Sequence, residues 1–192
     1  MTDQIAEVCS CCGKPLPEGN LAWDLEEPDP VVYLDEAERA ERIVTQTEQV
    51  FCVKGLGNFI RVILPVPVEH DRTATFGVWL CIPEMNDWQR IMTAGSRGGS
   101  AWAGLTFEGR LASAIQPWPD TFGTWTRAVV PGQDQVPRLV HSHDPLLARV
   151  LTERWSEELI RSSRSEHAAR PLSGGPTPNP YQRSLWSRLR GR

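Results

Sequence analysis

Two apolar stretches within residues 59–83 constrain this chain more than anything else in it. The first reads Phe-Ile-Arg-Val-Ile-Leu-Pro-Val-Pro-Val (59–68). The second reads Ala-Thr-Phe-Gly-Val-Trp-Leu-Cys-Ile-Pro (74–83), and a polar break lies between them. Both are rich in β-branched and aromatic residues and bounded by turn formers, so they read as neighbouring antiparallel strands. Alternation puts Ile60, Val62, Leu64, Val66 and Val68 on one face of the first strand and Phe59, Arg61 and Ile63 on the other. In the second, Phe76, Val78, Leu80 and Ile82 oppose Gly77, Trp79 and Cys81. A pair apolar on both faces belongs in the middle of a covered sheet, with Val62 and Val78 shut off from water.

Pro65 and Pro67 test this reading. They share one parity, so they delete ladder donors along one edge only. Residues 49–53 form a short preceding strand that turns through Lys54-Gly55-Leu56-Gly57-Asn58 and is exhausted before the prolines are reached. Leu21, Trp23 and Leu25 alternate as a further short strand. Asp35-Glu36-Ala37-Glu38 has the form of a capping box and opens a surface helix to about Thr45, with i,i+4 pairs Asp35–Arg39 and Glu38–Arg42. A second helix over 84–95 directs Met85, Trp88, Ile91 and Met92 inward, and a glycine loop follows at 96–100. Three more strands are expected at 102–115, 121–130 and 136–141. Asp144 caps and Pro145 opens a last helix, whose Leu146, Leu147, Val150, Leu151, Trp155, Leu159 and Ile160 make one apolar stripe. Among eight tryptophans, Trp79, Trp88 and Trp155 read as core, while Trp102, Trp118, Trp125 and Trp186 sit near loops or ends, where aromatics anchor interfaces.

Charge divides the chain. From Arg161 onward seven arginines face one glutamate, which is +6; the formal net charge is −4, so the preceding residues carry −10. This predicts an acidic body with a basic tail and argues against a general nucleic-acid binder. No apolar run approaches the ~20 residues that span a bilayer, and the first residues lack a signal-peptide pattern, so the expectation is a cytoplasmic protein without a membrane partner. A chain of 192 residues suits one α+β domain over 1–160: a mostly antiparallel sheet of about six strands, a C-terminal helix, shorter helices and an N-terminal cysteine knuckle. Residues 161–192 read as a frayed helix end, a Pro/Gly linker and a basic, disordered tail.

Five cysteines form no disulfide framework by spacing. Cys9 and Cys12 have the Cys-x-x-Cys-Gly spacing of a zinc knuckle, a tight turn aiming two thiolates at one ion. An unmetallated turn or a redox pair fits the same spacing. A zinc ion needs further ligands, and Cys52 and Cys81 are the candidates. In a simple meander they lie on strands separated by a third, about 10 Å apart given ~4.8 Å between neighbours. Two sulfurs each ~2.3 Å from one ion cannot be so distant, so only one of them can join; Cys52 is assigned as the third ligand. The plain alternative makes both small buried hydrophobes.

Arg61 is the odd residue of the central strands. Beside Trp79 it suits a carboxylate or phosphate ligand, or a partner; equally, its stem lies on apolar surface while its charge pairs with an acid of the same chain. His141 and His143 share a strand face, a spacing suited to metal binding or acid–base work, or simply to two solvated side chains.

Cys9, Cys12, Gly13, Cys52, Phe59-Ile60-Arg61 and Phe76-Gly77-Val78-Trp79 together resemble the bacterial domain of unknown function 2199, over roughly residues 8–160. Two departures stand out. The family pattern carries a His soon after the knuckle, where this chain has Lys14-Pro15-Leu16, and His-Pro-Leu where it has Asp144-Pro145-Leu146. Both remove imidazoles that would complete a metal site. The resemblance implies no activity. The leading expectation is therefore a non-enzymatic protein-binding module of inhibitor or immunity type, stabilised by zinc and facing a basic protein partner. The alternative is a metal-assisted hydrolase with a site near Arg61, His141 and His143.

Overall fold

The structure is a computed structural model that describes residues 21–168. The cysteine knuckle at 9–12 and the segment 169–192 lie outside the described residues. In chain order the elements are β1 (Ala22–Asp24), α1 (Asp29–Val32), α2 (Glu36–Arg42), β2 (Ile43–Gln46), β3 (Val50–Val53), β4 (Gly57–Val68) and β5 (Arg72–Ile82). Then follow α3 (Met85–Arg97), α4 (Gly99–Trp102), β6 (Thr106–Leu111), β7 (Trp125–Val129), β8 (Arg138–Ser142), α5 (Pro145–Thr152) and α6 (Glu157–Ala168).

β4 and β5 pair antiparallel along their whole length, from Asn58 opposite Ile82 to Val68 opposite Arg72, with Val62 opposite Val78. Both of those valines are fully buried. The expected centre of the sheet is therefore in place, with its faces assigned correctly.

The expected sheet of about six mostly antiparallel strands is corrected to a mixed sheet of eight, in the order β1-β5-β6-β7-β8-β4-β3-β2, with β4 also paired to β5. That last pairing closes β4, β5, β6, β7 and β8 into a five-stranded barrel. Closure follows from strand length. Each long strand outlasts its first neighbour and takes a second one further along: β4 pairs β3 near its start and β8 at Ile63, while β5 pairs β1 near its start and β6 at Leu80 and Cys81. The β1–β5 and β4–β8 pairings are parallel. Strand twist turns the upper halves of the ribbon away from the lower halves, and the upper halves curl shut. Val62, Leu64, Val78, Leu80, Phe107, Leu111, Ala128 and Leu139 fill the barrel, all 3% exposed or less.

The prolines sit where parity placed them. The N–H groups of Arg61 and Ile63 point away from β5, to Gln49 and Pro137. Pro65 and Pro67 continue that edge beyond its bridge to β8, where the Pro67 carbonyl accepts from the Trp155 N–H (3.0 Å).

Several helix boundaries differ from expectation. The capping box forms, with Glu38 N–H donating to Asp35 Oδ1 (2.8 Å) and Asp35 N–H to Glu38 Oε2 (3.3 Å), but α2 stops at Arg42. The β-branched run Ile43-Val44-Thr45 prefers the pleated conformation and becomes β2. Glu38–Arg42 pairs as expected, whereas Arg39 turns to Glu27 instead of Asp35. On α3, Trp88 and Ile91 are buried, but Met85 and Met92 are exposed. The glycine loop expected at 96–100 is a single kink between α3 and α4, made by Gly98 and Gly99 at positive φ. The last apolar stripe belongs to two helices. α5 ends at Thr152, and Trp155 lies in the break, bridged to Val68. Trp118, expected near an interface, is 4% exposed, packed edge-on against Phe76 and Trp155.

Candidate functional site

Arg61 and Trp79 are register partners across β4 and β5, on the outer face of the barrel. Trp79 is fully buried there. Its indole Nε1–H donates to the Leu25 carbonyl (2.8 Å), its backbone N–H to Ser113 Oγ (3.0 Å), and Phe51 meets its ring edge-on at 5.1 Å. The Arg61 guanidinium carbon lies 5.9 Å from the Trp79 ring centre, within cation–π range.

The Arg61 charge is answered from within the chain. Its Nη2 stands 2.5 Å from Asp24 Oδ1, with the two side chains 13% and 21% exposed, and Nη1 donates to the Glu48 carbonyl (3.4 Å). Asp24 is the register partner of Gly77 on β1–β5, and Gly77 that of Ile63 on β4. The aspartate therefore reaches over the intervening strand to find the arginine. Only glycine at 77 leaves room. A Cβ there would overlap the Asp24 carboxylate outright and stand 3.1 Å from Arg61 Nη2. Of the two roles open to Arg61 in the sequence, the ion pair inside the fold is the one observed. The sequence signal for Asp24 is an acid set between Trp23 and Leu25, on the opposite parity of their alternation; the structure places it opposite the strand glycine Gly77.

β3, β4 and β5 form the expected meander, with Cys52 and Cys81 on the two strands flanking β4. Cys52 shares a row with Asn58 and Ile82, while Cys81 shares the next row with Phe59 and Phe51. Successive rows point to opposite faces, so the two thiols are separated by the sheet itself as well as by a strand. Burial pushes the Cys81 thiol up from 9.0 to about 12. The Cys52 thiol is half-buried and is raised by burial, partly offset by a hydrogen bond with Thr45. Among the described residues, no three His, Cys, Asp or Glu side chains gather closely enough to hold a metal ion. Cys9 and Cys12 lie outside that region.

His141 and His143 are both exposed, their ring centres 4.7 Å apart and their planes nearly perpendicular. They do not meet Arg61. Ile63 is the partner of Arg138, so Arg61 sits two residues down β4 and His141 three residues up β8. Five steps at about 3.3 Å separate them by roughly 16 Å along the strands.

No helix among the described residues is long and apolar enough to cross a membrane. The fold and the Arg61–Asp24–Gly77 constellation define a class: an α+β domain built on a small closed barrel, braced on its outer face by a half-buried ion pair. The chain belongs to the DUF2199 family, described as an uncharacterised protein conserved in bacteria, whose family model matches residues 8–151. No curated protein and no solved structure matches it.

Proposed function

We propose that the chain is a non-enzymatic protein-binding module of inhibitor or immunity type, and that its binding face is the edge of the sheet at β2, where it meets a basic protein. The observation that carries this reading is Val44. It is 63% exposed on the last strand in the sheet order, at a bulge that turns it out of register with β3. Glu41 and Glu48, within four residues of it, are exposed and without an ion pair among the described residues. The nearby arginines are already spent: Arg39 on Glu27, Arg42 on Glu38 and the Lys54 carbonyl. An apolar centre with an acidic rim on a body of −10 suits a basic partner, drawn in by the field and held by the apolar contact.

The test is capture by the full chain from bacterial lysate, then titration of the purified captured protein against wild type, Val44→Glu, and Glu41→Lys/Glu48→Lys. A basic partner that loses about tenfold or more in affinity with either variant, and weakens with salt, supports the reading. Equal binding by all three proteins, or capture of acidic partners only, overturns it.

Zinc is part of the same proposal, as a stabilising element on Cys9 and Cys12 with Cys52 as third thiolate. Its support is that Cys52 stays half-buried while Cys81 is sealed in the core. Protein purified without added metal should carry about one zinc per chain and lose it in the Cys9→Ser/Cys12→Ser variant. A ratio well below one, unchanged by that variant, removes the metal.

A further inference from the structure

We infer that His141 and His143 form a two-imidazole chelate for a divalent transition ion of the Ni²⁺ or Cu²⁺ kind, on the outer wall of the barrel and separate from the cysteines. The local fold builds it in three steps. A bulge on β8 leaves Val140 without a partner, with Arg127 opposite His141 and Ala128 opposite Leu139. The side chain between the histidines is then fixed inward: Ser142 is 4% exposed, and its hydroxyl donates to the Trp125 carbonyl (2.7 Å) while accepting from the Asp144 N–H (3.1 Å). The His141 carbonyl is held by the Thr126 hydroxyl (2.8 Å). Backbone restraint on both sides of the pair leaves only the two rings to adjust.

Their spacing suits one ion. With metal–nitrogen bonds of about 2.1 Å, two imidazoles in adjacent coordination positions have ring centres about 4.6 Å apart. The observed separation is 4.7 Å. The surrounding charges permit a cation. Arg127, across from His141, is drawn to the far side of β7 by Glu108, which accepts from its Nε (3.0 Å) and Nη2 (2.7 Å). Asp144 is engaged in capping α5, its Oδ1 accepting from the Leu147 N–H (2.9 Å), and among the described residues no third His, Cys, Asp or Glu joins the pair. Two nitrogen ligands and open water positions favour the late first-row ions, and the thiolates of a cysteine knuckle favour zinc, so the two sites differ in preference.

The experiment is Ni²⁺ titration of the full, untagged chain by calorimetry, with His141→Gln, His143→Gln, the double variant and Cys9→Ser/Cys12→Ser. A chelate closes its second bond at high effective concentration, so either single histidine variant should lose about tenfold or more in affinity, and the double little beyond that. The cysteine variant should keep the Ni²⁺ site. Both histidines are exposed, so unchanged thermal melts of the metal-free variants show that the fold is not the cause. Retention of full Ni²⁺ affinity in the double variant, or its loss in the cysteine variant alone, overturns the assignment. So do single variants that each keep native affinity, because two independent histidines behave that way.

Discussion

The Gly77→Ala substitution tests the account of the outer face most directly. In an ordinary strand, alanine in place of glycine gains stability, about 0.5–1 kcal/mol from chain entropy alone. Here the new methyl would occupy the space of the Asp24 carboxylate, and the carboxylate must leave Arg61. The pair is neither at the surface nor fully interior, with side chains 13% and 21% exposed. Surface pairs are worth about 0–1 kcal/mol, while breaking a buried one costs about 3–5 kcal/mol, so a loss near 2 kcal/mol is the intermediate expectation. Net of the glycine gain, Gly77→Ala should destabilise by about 1–1.5 kcal/mol, which lowers the melting temperature by about 2–6 °C in a domain of this size. The decisive arm is the same substitution in an Asp24→Ala background. With the carboxylate gone, the nearest remaining atom to crowd the methyl is the movable end of Arg61 at 3.1 Å, and the substitution should turn neutral or stabilising. Urea melts of the four proteins, compared at constant m, read the cycle. An equal loss in both backgrounds would refute the argument, since Gly77 would then serve something other than the ion pair.

Three further outcomes follow from the same geometry. Cys81 keeps its proton to about pH 12 when folded but ionises near 9.0 when unfolded, so the unfolded state binds fewer protons between those values. Stability should therefore fall as pH rises from about 9 to about 12, by at most about 1.4 kcal/mol per unit, and Cys81→Ala should flatten that limb of a melt-versus-pH curve. Asp144→Ala removes the cap of α5, the helix that buries Leu147 and Val150, and should cost about 1 kcal/mol in chemical denaturation. Trp79→Phe replaces the indole with a smaller ring, strands the Leu25 carbonyl and leaves a void in the packed face, and should cost about 1–3 kcal/mol or more with the fold otherwise intact by circular dichroism.

What could be read without coordinates was whatever period and parity decide. The two central strands, their pairing and faces, the single edge of the prolines, the capping box at Asp35 and the separation of Cys52 from Cys81 all follow from alternation or from spacing of a few residues. What could not be read depends on partners far along the chain. Barrel closure rests on β4 and β5 each taking a second neighbour, and nothing in residues 57–82 names β8 or β6. The i,i+4 spacing pairs Arg39 with Asp35, but Arg39 finds Glu27, twelve residues back; Arg61 finds Asp24, which β1 brings from outside the local window by adding in parallel to β5. The break at Trp155 was hidden by apolar residues that keep one helical stripe on both sides of it. Val44 was folded into a helix on pattern, although its β-branched neighbours favoured the strand that leaves it exposed.

The two prolines of β4 also govern which copies of this chain can zip together. A foreign strand laid along that margin would find neither of the donors that positions 65 and 67 would present there, and the backbone of Trp155 already occupies the last rung. Fibril-like growth is therefore blocked on the very ribbon whose composition would otherwise template it. The short, acid-flanked margin of β2 is one of the two end strands of the described sheet, and there like charge repels another copy of the chain and admits a basic stranger.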